Sequence, residues 1–412
     1  MKRHPVKIII ATFSFAPQTG GVAAVAEAQA AGLAARGHGV TVACEFDPRR
    51  PRDFSVGTVK VRQFKISGSY ESGHGYHGEV REYQEFLASE PADILLCHCP
   101  QSWPTDLAVP VFPRMRARTV LLSHGVDAHI WKRQEQFPWG IGQWLRSLPY
   151  VWRMPRLLRA FDQVVFLSAR RDFGRYFDAW LAHRLGLKHC SIVPNGVHLD
   201  DLRGARKDFR GQFGIDARQF LLLNVANYCD RKNQLATLRG FLRADRQDAT
   251  MVFIGQEHNE YSAEMQKVLQ QAGVQKGHVL ILENVSKELI NSAYRTADLF
   301  VLNAKAETQP LAILDAMAVG IPFISTDVGC VAEFPGGLLV KSEAETAAAI
   351  HKLLDDSALA QRLGAEGRAA TDATYSWNKV ITAYERLFSR LLAEAPLRPV
   401  ATTAQEQPVQ KR

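Results

Sequence analysis

The sequence has no long apolar run. Apolar stretches such as Ile8–Ala11 and Leu221–Leu223 have strand length, far short of the roughly 20 residues a spanning helix needs. Cysteine is scarce: Cys44, Cys97, Cys99, Cys190, Cys229 and Cys330 are scattered along 412 residues. A disulfide framework does not suit so long and core-rich a chain. Cys97-His98-Cys99 invites a metal reading, but no second ligand pair at zinc spacing follows, so buried residues at a strand end fit better. No G-x-G-x-x-G follows the first strand with an acid about 20 residues later, which argues against a dinucleotide oxidoreductase. No Asp-x-Asp motif calls for a divalent cation, and neither metal nor cofactor is expected.

What is present is the balance of a water-soluble globular protein, 46% apolar and 22% charged. Lys2 and Arg3 ahead of an apolar stretch superficially resemble a signal peptide. The stretch is short and runs into a glycine turn, so it reads as a first strand and the protein as cytoplasmic.

The length suits two domains of about 200 residues. Lys7–Thr12 reads as a strand, Gly20-Gly21 as a turn, Val22–Arg36 as a helix and Val40–Cys44 as the next strand. Asp93–Cys97, Thr119–Ser123 and Val164–Ser168 are further short strands. The pattern restarts after Pro194-Asn195-Gly196, with strands at Arg218–Ala226, Thr250–Gly255, His278–Leu282, Asp298–Leu302 and Pro322–Thr326. Helices fit Asn233–Leu242, Tyr261–Ala272, Lys287–Thr296 and Pro310–Ala318. Alternating strands and helices imply parallel, doubly wound sheets. The expected domains are 1–195, 196–375, a C-terminal helix over 376–393 that crosses back to the first domain, and a disordered tail over 394–412. Ligands of such sheets bind at the strands' carboxyl ends, so a cleft between the domains is the expected site.

The strongest local signal is the run from Glu307 through Pro310 and Asp315 to Gly320-Ile-Pro322. A carboxylate at a strand end is followed eight positions on by a second, with Pro310 fitting the first helical turn. A helix N-terminus attracts a diphosphate, and carboxylates accept hydrogen bonds from sugar hydroxyls. On spacing alone, two solvated acids on a strand-loop-helix fit equally well.

This segment resembles the E-x7-E region of retaining glycosyltransferases of family 4, which have the GT-B fold of two Rossmann-like α/β domains. The resemblance runs along most of the chain in order: Gly20-Gly21-Val22, Ser123-His124-Gly125, Phe166-Leu167-Ser168, Val193-Pro194-Asn195-Gly196-Val197, Asp230-Arg231-Lys232-Asn233-Gln234, Val252-Phe253-Ile254-Gly255 and Ala297-Asp298-Leu299-Phe300-Val301. It implies that Glu307 binds donor-sugar hydroxyls, Asp315 the ribose, and Lys232 the diphosphate. Gly20 and Gly21 would bring backbone amides to phosphate or acceptor, His124 would sit near the reacting sugar, and Val285 would line the base pocket.

The chain departs from the family at three places. Asp315 stands where Glu is usual. Asn227 replaces the Arg of the R-x4-K pair, and Arg231 is a candidate to compensate. Pro310 replaces Gly, and lacking an N–H it shifts phosphate contacts to the amides of Leu311 and Ala312.

The resemblance thus implies a hexosyltransferase that uses a nucleotide sugar, UDP-sugar favoured, with retention, in envelope polysaccharide or lipopolysaccharide assembly. Its partners would be that donor and a glycan or lipid-linked acceptor. A non-catalytic sugar-nucleotide-binding protein, an epimerase and an inverting transferase are the alternatives. Net charge is +8, and residues 129–175 hold nine Lys/Arg against three Asp/Glu, with four of the seven tryptophans: Trp131, Trp139, Trp144 and Trp152. Such a stretch suits an anionic membrane surface and peripheral attachment to its inner face. Pro138, Pro149 and Pro155 predict short pieces or a loop there. No recognised nucleic-acid-binding module is present, and nucleic acid is not an expected partner.

Overall fold

The computed structural model describes residues 5–18, 20–69, 75–126, 140–173, 176–273 and 277–394, with side chains from 148 onward in the fourth stretch. Trp131, Trp139, Pro138 and the tail beyond Glu394 lie outside the described residues, and Trp144 is described in its backbone alone. The chain forms two compact units. One runs through Val193 and takes the chain back from Ile381; the other is Pro194–Val380.

The first unit is built on strands β1 (Lys7–Ala11), β2 (Gly39–Glu45), β3 (Asp53–Val56), β4 (Val59–Phe64), β5 (Ile66–Ser69), β6 (Gly75–Gly78), β7 (Ile94–His98), β8 (Arg118–Leu122), β9 (Gln163–Phe166) and β10 (Cys190–Ile192). Eight of them form one sheet in the order β10-β9-β8-β7-β1-β2-β4-β3, and β5 pairs with β6 separately. All neighbours in the large sheet are parallel except β3, which runs antiparallel along β4 at the edge. Strands β3, β5 and β6 have four residues each, only Ile66 among them fully buried, and no long apolar run heralds these or β4.

The second unit has β11 (Phe220–Val225), β12 (Ala249–Ile254), β13 (Val279–Leu282), β14 (Leu299–Leu302), β15 (Phe323–Thr326) and β16 (Gly337–Val340), all parallel, in the order β13-β12-β11-β14-β15-β16. Side chains alternate across a strand. Leu221 and Leu223 therefore join the core on one face and Leu222 the core on the other. Burial on both faces is why these strands read as continuous apolar runs.

Each sheet has one place where strand order reverses, between β1 and β7 in the first and between β11 and β14 in the second. The loops leaving those two strand pairs diverge and leave a crevice at the carboxyl ends. Topology alone thus nominates two loop pairs as candidate sites.

One expectation fails here. A single helix, Gly140–Ala160, passes through both Pro149 and Pro155. A proline inside a helix costs about 3 kcal/mol. Tyr150, Met154, Leu157 and Leu158, at spacings of four, seven and eight, are all buried in the first core. Burying side chains of this size contributes about 1.5–3 kcal/mol each, enough to outweigh the prolines. The opposite face exposes Trp152, 76% accessible, with Arg153, Arg156 and Arg159.

The last helix, Trp377–Glu394, starts in the second unit and passes into the first. Its buried Glu385 takes an ion pair from Arg36 and lies 3.2 Å from Nε2 of His38. The Val6 amide donates to His38 Nδ1 at 3.2 Å. Nδ1 is thus the acceptor of this pair, and Nε2 faces the carboxylate.

Candidate functional site

In the second unit the two switch-point loops are tied together by polar contacts. After β11 the chain passes Asn227 and a short 3₁₀ turn, Asp230–Lys232, then turns through Asn233, at φ 50°, into the helix Gln234–Ala244. After β14 comes the segment that carries Glu307. The Lys305 amide donates to the Arg231 carbonyl at 2.9 Å, and Asn233 Nδ2 to the Asn303 carbonyl at 3.0 Å. Lys305 Nζ meets Asp230 at 2.7 Å. Lys232 forms a close ion pair with Glu307, with only 20% and 8% of the two side chains accessible. The two residues assigned to diphosphate and sugar are therefore in contact, 75 positions apart in sequence.

The Glu307 loop is braced from behind. The Cys330 amide donates to the Thr308 carbonyl at 2.9 Å. Gly329 has φ +54°, and a Cβ there would fall 2.2 Å from that carbonyl oxygen, so only glycine allows the approach. The Gln309 side chain accepts from the Asn195 amide at 2.6 Å, which gives the Pro194-Asn195-Gly196 signature a role in positioning this loop.

The helix that follows is Leu311–Val319, with Pro310 as its N-cap. Pro310 thus stands just outside the helix and not in its first turn: its extended ψ of 111° is not helical. The Pro310 carbonyl receives the amides of Ile313 and Leu314. Intrahelical pairing leaves the amides of Leu311 and Ala312 over, at the positive end of the helix. Asp315 sits half-buried on this helix, and no hydrogen bond or ion pair joins it to Lys232 or Glu307 among the described residues. Burial pushes its carboxyl up to about 7, opposed by the Lys287 ammonium. The Tyr294 ring is fully buried near it, and its hydroxyl finds no partner among the described residues.

Asn227 and Arg231 are exposed on the β11 loop. The Asn227 carbonyl accepts from Gln234 Nε2 at 2.9 Å. Val285 follows β13, partly buried against the core and two residues before Lys287. Tyr228 lies under this corner, donating its hydroxyl to the Leu282 carbonyl at 2.7 Å, and a Cβ on Gly255 would strike its ring at 2.4 Å.

In the first unit, Gly20 caps the helix Gly21–Ala35 with φ 148° and ψ 165°, a conformation open to glycine alone. A Cβ at Gly20 or Gly21 would meet nothing within 4 Å, so the glycines leave the helix start approachable. His124 follows β8, partly exposed. The Ser123 hydroxyl before it forms a close hydrogen bond with the buried Asp178 carboxylate. Burial raises the Asp178 carboxyl, against the pull of Ser123 and of the amides of Ala179, Asp178 and Val126. Nε2 of His124 lies 3.3 Å from Nδ1 of His98, the last residue of β7, which is completely buried. Desolvation lowers His124 to about 4, and desolvation together with the His124 charge holds His98 well below its usual value. Both imidazoles are neutral at pH 7.

Sequence reasoning passed over His98 and Asp178. The first had a signal in Cys97-His98-Cys99, set aside once zinc spacing failed. Asp178 had none, because it reaches Ser123 from 55 positions away. Among the described residues no group of three His, Cys, Asp or Glu side chains is placed to hold a metal ion, and no helix is long and apolar enough to cross a membrane.

Two family models divide the chain. The model for glycosyltransferase family 4 matches residues 19–201, and that for glycosyl transferases group 1 matches residues 205–370. The lipopolysaccharide core biosynthesis mannosyltransferase LpsB of Rhizobium meliloti is 26% identical over 298 residues, 64% of this chain and 83% of LpsB. The alignment with TuaC of Bacillus subtilis, named for teichuronic acid biosynthesis, is shorter, 41% of this chain and 42% of that protein. Among solved structures, sucrose-phosphate synthase from Thermosynechococcus elongatus superimposes with a TM-score of 0.77 at 17% identity, over 95% of this chain and all of that one. Anabaena HepE in complex with UDP-glucose gives 0.68 at 13%, over 93% and 100%. Two Rossmann-like sheets, each with a reversal of strand order, and matching models for both halves lead to one conclusion: this chain belongs to the GT-B glycosyltransferases.

Proposed function

We propose that the enzyme transfers a hexose-type sugar from a nucleotide sugar, a UDP-sugar in preference, to a glycan or lipid-linked acceptor with retention, in the assembly of envelope polysaccharide or lipopolysaccharide. The observation that carries this is the Lys232–Glu307 pair at the β11/β14 switch point, in the loops next to a helix N-terminus whose first two amides have no partner within the helix. The bound UDP-glucose of HepE and the name of LpsB support the donor class and the pathway.

In this reading the acceptor oxygen bonds to the anomeric carbon as the bond from that carbon to the diphosphate oxygen breaks. The acceptor's proton passes to the departing phosphate. Negative charge grows on the leaving group, where Lys232 and the amides of Leu311 and Ala312 stabilise it. Glu307 turns from Lys232 to the sugar hydroxyls, Asp315 takes the ribose, and Val285 borders the base. Asn227 cannot supply the charge an arginine would, and the exposed Arg231 takes over part of that task. His124 lies in the first unit and acts on the reacting sugar or the acceptor, and Gly20 and Gly21 admit the acceptor or a phosphate to the start of their helix. The face that shows Trp152 and its three arginines attaches the enzyme to anionic lipid, where a lipid-linked acceptor would be found.

A thermal-shift screen against UDP-, GDP- and ADP-sugars tests the donor, since a ligand bound by the native state alone raises its stability. Product NMR tests retention: an α-linked product from an α-linked donor supports it and a β-linked product refutes it. The second reading, a sugar-nucleotide-binding protein without turnover, draws on Asn227 and Asp315. It predicts a thermal shift but no donor consumption with membrane extract.

A further inference from the structure

We infer that His98 is a positioning residue, whose buried ring donates its Nδ1–H to Nε2 of His124 and so fixes His124 with its own proton on Nδ1. The inference rests on His124 being a site residue and specifies how it can act there.

Two nitrogens 3.3 Å apart, with ring centroids separated by 5.2 Å, share one proton. If His124 were the donor, a neutral His98 would carry its proton on Nε2. That atom is sealed from solvent and has no partner among the described residues. A buried N–H without an acceptor is the rarest defect in native structures, and a bare lone pair is better tolerated. With His98 as donor, Nε2 carries only the lone pair and no hydrogen is stranded.

His98 cannot escape by moving. Its ring is wholly inaccessible, and its carbonyl accepts the hydroxyls of Ser102 at 3.1 Å and Thr105 at 3.2 Å. The loop beyond it holds Cys99 and Gln101 at φ 63° each, a conformation these residues seldom adopt. It is kept there by contacts including a close one between the Gln101 amide and the Tyr150 hydroxyl. Residual strain of this kind persists where surrounding structure over-determines it. The partner loop is anchored separately, through Ser123 and Asp178.

The consequence is chemical. The Nε2 lone pair of His124 is occupied, so the ring is no base at that atom. It meets a sugar or acceptor oxygen as an N–H donor through Nδ1.

The test is ring-nitrogen NMR of the full-length protein labelled with 15N-histidine, with His124 assigned from a His124→Gln variant. His124 should show a protonated Nδ1 and a bare Nε2. His98→Phe, which cannot donate, should release it towards the Nε2–H form, and His98→Asn, whose amide can donate, should hold it. Turnover should fall about tenfold in His98→Phe, the order expected for one lost hydrogen bond, and be largely restored in His98→Asn. A wild-type His124 protonated on Nε2 overturns the inference, as does a tautomer indifferent to His98→Phe. If His98→Phe fails to fold, the wild-type spectrum alone decides. Should His124→Ala leave transfer unchanged, the role given to His124 fails, while the spectrum still judges the tautomer.

Discussion

The two switch points share a topology and differ in chemistry. At the β11/β14 point the loops are laced by charge, with Lys232 on Glu307 and Lys305 on Asp230. At the β1/β7 point they carry uncharged groups, a glycine-capped helix start and the imidazole of His98, which His124 meets from the neighbouring β8 loop. Sheet order decides where a crevice opens, and the side chains that reach it decide what it can hold. A crevice with a lysine and free amides suits an anion, whereas one with a neutral N–H donor suits hydroxyls.

The contrast breaks most sharply at Lys232. Lys232→Ala should lower kcat/KM by about 10²–10³-fold, the scale for removing one stabiliser of developing charge, and should abolish the thermal shift from donor. It also leaves Glu307 buried without its cation, so the ligand-free enzyme should melt earlier. Adding Glu307→Gln should recover that loss without recovering donor binding. A donor shift that survives in Lys232→Ala would remove the lysine from the site. His124→Ala sharpens the contrast from the other side. Turnover should fall about 10²-fold, at the lower end for a positioned acid–base or donor group, while the donor shift stays. Loss of both together would show that the two loops do not divide the work as proposed.

A smaller effect separates the units by pH. His98 and His124 titrate below their unfolded values, so the unfolded chain binds more protons as pH falls below about 6.5, for His124 down to about 4. Their contribution is full above 6.5 and is lost as pH falls. Asp315 is the reverse. Its folded value of about 7 exceeds the unfolded one, so its contribution is full below about 4 and is lost as pH rises to 7. Asp315→Asn should therefore raise Tm at pH 8 by a few degrees and leave it unchanged near pH 4. His98→Phe should narrow the gap between Tm at pH 7 and pH 5. Melting curves across this range check both signs. The smallest effect concerns Trp152, where replacement by Ser should weaken sedimentation with anionic vesicles several-fold and leave that with zwitterionic vesicles unchanged. Equal binding to both vesicle types would dismiss the attachment face.

Much of this is legible in the sequence for a physical reason. Strands buried on both faces leave apolar runs, and the loops that follow them begin at fixed offsets, so the pattern of apolar residues by itself puts Lys232, Glu307 and His124 on loops. The short strands β3, β5 and β6, and the mixed pattern of β4, leave no such runs and escape that pattern. The helix through Pro149 and Pro155 defeats it because local propensity takes no account of the core that Met154 and Leu158 enter. His98 and Asp178 are hidden because their partners, His124 and Ser123, lie on other strands and loops, and sequence spacing carries no signal of such contacts.

The last helix has a consequence for how the molecule is made. The second unit is one unbroken stretch, Pro194–Val380, whereas the first needs residues from Ile381 onward. Glu385, the partner of Arg36, leaves the ribosome 349 residues after it. At roughly 5–20 residues per second, Arg36 waits on the order of 20–70 seconds for that partner. The second can close on itself first. Birth order and completion order are thus inverted, and a nascent chain stalled before Ile381 would carry an open N-terminal half, the state a chaperone would meet.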